Sequence, residues 1–197
     1  MKLYERLPDC VRIGRKRYKL DLDFRNVLQM METLGRDDLL PEAREYRALC
    51  CIMKRPPKDT APIMAAVRAL LFHPGAEKEG GQKLTSFEQD ADLIRAAFYQ
   101  VYGINLYTER VHWLMFTALL SGLPEGNRYT EIVGIRARPM PEANKWNAKE
   151  REWLAMAKAQ YAIQMTDKER EASYQAGLHQ MTLSLLSYAK GGNPDGL

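Results

Sequence analysis

His112 stands beside Trp113 in the most apolar run of the chain, residues 111–120, and is the polar side chain best placed to do chemistry. An unpaired imidazole in such a helix would be costly. A nucleophile or carboxylate partner would make it catalytic, whereas a structural hydrogen bond, to Asp92 for example, would make it scaffold. No motif supplies a catalytic partner, so the scaffold role is the expectation. The other two histidines, His73 and His179, lie far from it and from each other, so no pair has metal-ligand spacing. Cys50 and Cys51 are adjacent, and two neighbouring thiolates can hardly reach one zinc. They read as core thiols of a helix. Asp90 and Asp92 form a close carboxylate pair, but two residues apart on a helix they diverge by about 200°. Acids favoured by the dipole of a helix start explain them better.

Phosphate loops, dinucleotide-binding glycine patterns and nucleophile elbows are all missing from the sequence. The expectation is a protein with no catalytic residues, no metal and no cofactor. Phe98, Tyr99, Tyr102, Tyr107, Trp113 and Phe116 read as core aromatics and not as a stacking platform for bases. Two features are left as binding candidates. One is a basic cluster of Arg12, Arg15, Lys16, Arg17 and Lys19, with no acid between Val11 and Lys19. It carries the charge excess: residues 1–60 hold 14 basic and 10 acidic side chains, and the rest of the chain is balanced, giving the net +4. Such a cluster can attract phosphates or an acidic protein face, although its footprint is small for nucleic acid. The other is a stripe of Tyr174, Leu178, Met181, Leu185 and Tyr188, at steps of four, three, four and three. A stripe of that spacing must bury itself against something. It either folds back on Trp153, Leu154, Ala157 and Tyr161 or faces a partner.

The elements that must carry these residues are mostly helices. Val11 and Ile13, then Tyr18, Leu20 and Leu22, alternate with polar residues around residues 14–17, which predicts a β-hairpin. Helices are predicted over 24–34 (capped by Asp23, ended by Gly35), 41–54 (Pro41 at its first position) and 60–72 (capped by Thr60). Ser86 and Gln89 have capping-box spacing before a fourth helix to Tyr102, with Gly103 past its end. Phe87, Ala91, Ile94, Phe98 and Val101 share one face of it. A fifth, over 108–121, is apolar nearly all round and should be the central buried helix. A short helix near 129–135 follows the turn at Pro124 and Gly126. From 147 a helix runs to about 164 and another from 166 to about 189, and the pattern allows either a break at Thr166 or one long helix. Residues 73–86 read as a loop. The fold class is mainly α, about six or seven helices with an N-terminal β-hairpin. The divisions are a helical core over 1–141, a C-terminal helical pair over 142–189 and a frayed tail over 190–197.

Length and composition agree with this reading. The 197 residues suffice for one sizeable core without disulfides, and 46% apolar with 27% charged residues is an ordinary globular composition. Three cysteines, two of them adjacent, suit a reducing compartment. The N-terminus carries Glu5, Arg6 and Asp9 where a secretory core would run, and no apolar run approaches a membrane span. The expected address is a cytoplasm, with no membrane partner.

Residues 87–136 resemble a family of small proteins encoded in the tail modules of long-tailed phages and in prophages, the phage gene-product-fifteen proteins. The resemblance rests on Asp90 and Asp92, Phe98, the Tyr102-Gly103-Ile104 run with Leu106, His112-Trp113, Phe116, and Leu119-Leu120 with Gly122-Leu123-Pro124. It continues through Ile132, Ile135 and Arg136. The opening, Tyr18 to Asp21 followed by Asp23 to Leu28, is similar to the family's start. The resemblance implies a non-catalytic tail assembly chaperone that binds and solubilises the long helical tape-measure protein and recruits tail-tube subunits. It further implies a protein that works in the host cytoplasm and is absent from the mature virion. Copies on one client would touch each other, so self-association is expected. The alternative from another class is a nucleic-acid-binding phage accessory protein that uses the basic hairpin.

Overall fold

The computed structural model describes residues 4–72 and 83–165. Among them are one antiparallel hairpin, β1 (Cys10–Ile13) and β2 (Lys16–Lys19), and seven helices. The helices are α1 (Phe24–Leu34), α2 (Pro41–Ile52), α3 (Ala61–Leu71), α4 (Ala91–Tyr102), α5 (Trp113–Ser121), α6 (Arg128–Ala137) and α7 (Ala148–Gln160). The mainly α class with an N-terminal hairpin is as the sequence predicts. The chain divides into two units, Met1–Glu77 with Asp90–Glu131, and Lys78–Gln89 with Ile132–Leu197.

The hairpin closes through Gly14 and Arg15. Gly14 has φ +58° and Arg15, like every other non-glycine among the described residues, does not have positive φ, which is the type II′ pattern that suits strand twist. Register pairs Val11 with Tyr18 and Arg12 with Arg17. Because side chains alternate, Val11, Tyr18 and Leu20 share the inner face while Cys10, Arg12, Arg17 and Lys19 share the outer one. Val11 and Leu20 are buried.

Helix boundaries follow the expected caps with informative exceptions. Asp23 caps α1, its carboxylate accepting from Arg25 N at 3.1 Å. Pro41 opens α2. That helix ends at Ile52 rather than 54 because Met53 is extended and the Ile52 carbonyl accepts from Asp21 N at 2.7 Å. Thr60 is not a side-chain cap: its Oγ1 donates to Glu45 Oε2 of α2 at 2.9 Å. Ser86 Oγ accepts from Gln89 N at 3.3 Å and caps a turn just ahead of α4. Gly103, with φ +69°, closes α4 in the left-handed conformation that glycine permits.

The larger unit is built around stacked rings. Phe116 lies 4.7 Å from Phe24, 5.1 Å from Phe98 and 5.8 Å from Trp113, centroid to centroid. Val27, Met30, Leu49, Ile52, Ile63 and Val67 complete the core from α1, α2 and α3. Not all six expected core aromatics are in it. Phe98, Trp113 and Phe116 are buried and Tyr102 is half-buried, but Tyr99 and Tyr107 are exposed. The cysteines also depart from expectation: Cys50 is exposed and Cys51 half-buried, donating to Arg47 O.

In the other unit, buried Arg136 organises the backbone. Its Nε donates to Tyr161 O at 2.6 Å and Nη1 to Leu84 O at 3.0 Å, while Lys158 Nζ donates to Arg136 O at 2.8 Å. The Gln89 side-chain amide exchanges two 2.8 Å hydrogen bonds with the backbone of Gln164. α7 ends at Gln160, short of the expected 164, and residues 162–165 are not helical.

Candidate partner-binding surfaces

His112 is a helix cap. Its Nδ1 accepts from Leu114 N at 3.2 Å, and its Nε2 lies 2.9 Å from Pro8 O. With Nδ1 accepting, the proton is on Nε2 and is donated to the Pro8 carbonyl. Asp92, offered above as its partner, instead pairs with Arg95 at 2.8 Å on an exposed face, while Asp90 is buried. The two carboxylates diverge as helical spacing requires. His112 also pairs with Asp23 in an antiparallel bridge: Phe24 N donates to Val111 O at 2.9 Å and Trp113 N to Leu22 O at 2.7 Å. The bridge thus satisfies the first amide of α1 and of α5, and each cap side chain satisfies the second, Arg25 N and Leu114 N. Asp23 is buried there, held by Arg25 at 2.9 Å and Arg110 at 3.3 Å. Arg110 also pairs with Asp21, and its guanidinium holds the Asp21 carboxyl below the usual carboxylate range.

Pinned in this way, α5 starts at Trp113, five residues later than expected, and is not enclosed. Trp113 and Phe116 are buried, but Leu114, Leu119 and Leu120 are half-buried and Met115 is 47% exposed. The expected central buried helix is therefore buried on one face only. Along the open side Ala69 and Leu70 of α3 and Leu114, Ala118 and Ser121 of α5 line a groove of about 660 Å³. Its helical walls are small or aliphatic apart from Thr117, which lets a foreign helix approach closely, and Glu5, Arg6 and Pro8 form its remaining edge.

A second groove, about 720 Å³, runs beside the hairpin. It divides the basic cluster read from the sequence. Arg17 and Lys19 line it, whereas Arg12, Arg15 and Lys16 do not. It adds three cations that sequence reasoning missed: Lys54 and Arg55, just past α2, and Arg110. The adjacency of Lys54 and Arg55 was visible, but their nearness to the hairpin depends on the Asp21–Ile52 backbone bond.

In the smaller unit α7 and the turn before it leave apolar side chains in solvent. Trp146 is 93% exposed, Trp153 51% and Met156 60%. Trp153 and Met156 are three residues apart and so share one face of α7. The predicted partner stripe, Tyr174, Leu178, Met181, Leu185 and Tyr188, lies outside the described residues. Among the described residues no group of His, Cys, Asp or Glu could hold a metal ion, and no helix is long and apolar enough to cross a membrane.

Fold and surface together define a small, mainly α protein with open helical faces and a basic hairpin. The chain belongs to the bacteriophage Gp15 protein family, whose model matches residues 3–163, and is thus phage-related. That match takes in the hairpin and all seven helices. Neither a curated protein nor a solved structure matches the chain.

Proposed function

We propose that this protein is a non-catalytic tail assembly chaperone that holds the tape-measure protein soluble and helps bring tail-tube subunits to it. The observation that carries the reading, beside family membership, is the open groove between α3 and α5, whose helical walls are largely apolar and whose edge carries Glu5 and Arg6. A helix that is apolar nearly all round and yet exposed along one side is suited to receive an amphipathic helix from a client. The exposed Trp153 and Met156 of α7 offer a second apolar face of the same kind. A long helical client would take many copies, so copies on one client would touch.

The test is co-expression with the large helical protein encoded just downstream, followed by light scattering on the purified material. A soluble complex with many copies per client is the expected result. Ala118→Glu places a charge in the groove at an exposed helical position, so it should abolish the complex without unfolding the chaperone. A client that stays insoluble while this protein elutes alone overturns the reading.

A further inference from the structure

We infer that the groove beside β2 binds an extended acidic polypeptide segment, which adds to the hairpin as a third strand. The argument begins with backbone groups. In the antiparallel pair the residues of β2 point alternately toward β1 and away from it. Leu20 N donates to Asp9 O at 2.7 Å, so Lys16, Tyr18 and Leu20 face β1, and Arg17, Lys19 and Asp21 face outward. The Asp21 amide is taken by Ile52 O. Among the described residues no strand lies beside Arg17 and Lys19, whose outward amides and carbonyls form a free edge.

Charge then selects the occupant. Five cations line the groove, Arg17, Lys19, Lys54, Arg55 and Arg110, against one acid, Asp21. Arg17 is paired with Asp9, and Arg110 with Asp21 and Asp23. Lys19, Lys54 and Arg55 are exposed and carry no ion pair among the described residues. A second copy of this basic edge would be repelled, which is how charged edges prevent self-pairing. An acidic strand reverses the sign, and the same edge then attracts it. Nucleic acid fits less well. Its backbone offers phosphate acceptors but no amide donors to match the carbonyls of Arg17 and Lys19. Nor do the hairpin-tip cations Arg15 and Lys16 line the groove, so the footprint is small.

The experiment is fluorescence polarisation of a labelled twelve-residue peptide alternating Glu and Val against the full chain, at low salt. Binding is expected, and adding salt should weaken it. The double variant Lys54→Glu, Arg55→Glu should lose at least tenfold in affinity with an unchanged melting temperature. Arg15→Ala with Lys16→Ala should stay within twofold of the parent. A peptide N-methylated at alternate residues, unable to pair its backbone, should also lose at least tenfold. The proposal is overturned if the acidic peptide does not bind, if Lys54→Glu, Arg55→Glu binds it as well as the parent, or if the N-methylated peptide binds equally. It is also overturned if a random DNA duplex displaces the peptide more effectively than unlabelled peptide does.

Discussion

Replacing His112 by Ala tests whether this residue is a scaffold element, and the structure supplies the magnitude. The substitution removes the hydrogen bond from Leu114 N to Nδ1 and the one from Nε2 to Pro8 O. Loss of a side-chain N-cap costs about 1 kcal/mol within a range of 0.5–2, and loss of a side chain–backbone bond about 1 kcal/mol more. The sum, about 2 kcal/mol, lowers the melting temperature of a chain this size by roughly 4–8 °C. His112→Asn keeps a short acceptor for the Leu114 amide but cannot reach Pro8, so it should recover about half of the loss. The assay is thermal melting followed by circular dichroism, with amide hydrogen exchange at Leu114 as the local readout. A His112→Ala protein that melts within about 1 °C of the parent would refute the capping assignment. So would an Asn variant as unstable as Ala.

Phe116→Ala should be far more damaging, at about 3–5 kcal/mol, because it empties the centre of a stack of four rings; urea denaturation measures it. Asp21 gives a pH signature. Its folded-state pKa lies below the ordinary 3.8, chiefly through its hydrogen bond with Arg110. The resulting stability is fully present above the unfolded value and is lost as pH falls through the lower folded one. Asp21→Asn should therefore flatten the stability profile below about pH 4 and leave the remaining slope intact, as acid titration at fixed urea would show. The contribution is modest because both partners are solvent-exposed. Ending the chain after Thr166 removes the stripe from Tyr174 to Tyr188. It should weaken client capture in co-expression and preserve a cooperative melt; loss of that melt would make the stripe core.

What the sequence made legible is what local chemistry decides. Gly14 in a two-residue turn, Asp23 before α1, Pro41 at the start of α2 and Gly103 past α4 each act within one helical turn of themselves, so their types and spacing could be read directly. The errors have a common origin in contacts distant along the chain. α5 was expected to begin near 108, but residue 112 is drawn into a bridge with Asp23, which holds His112 in extended backbone and delays the helix until Trp113. His112 was hard to read as a cap because capping is the habit of Ser, Thr, Asp and Asn. The basic cluster was visible, yet its useful half was not. Whether Arg17 and Lys19 form a site depends on Lys54, Arg55 and Arg110 arriving from other elements, and the Asp21–Ile52 and Arg110–Asp21 contacts bring them there. The same two contacts link the hairpin to the starts of α1 and α5 and the end of α2. A strand docking on β2 would therefore load the bridge that positions α5, along which the α3–α5 groove lies. If both surfaces bind, the His112→Ala variant should weaken binding at both, although it lines neither of them.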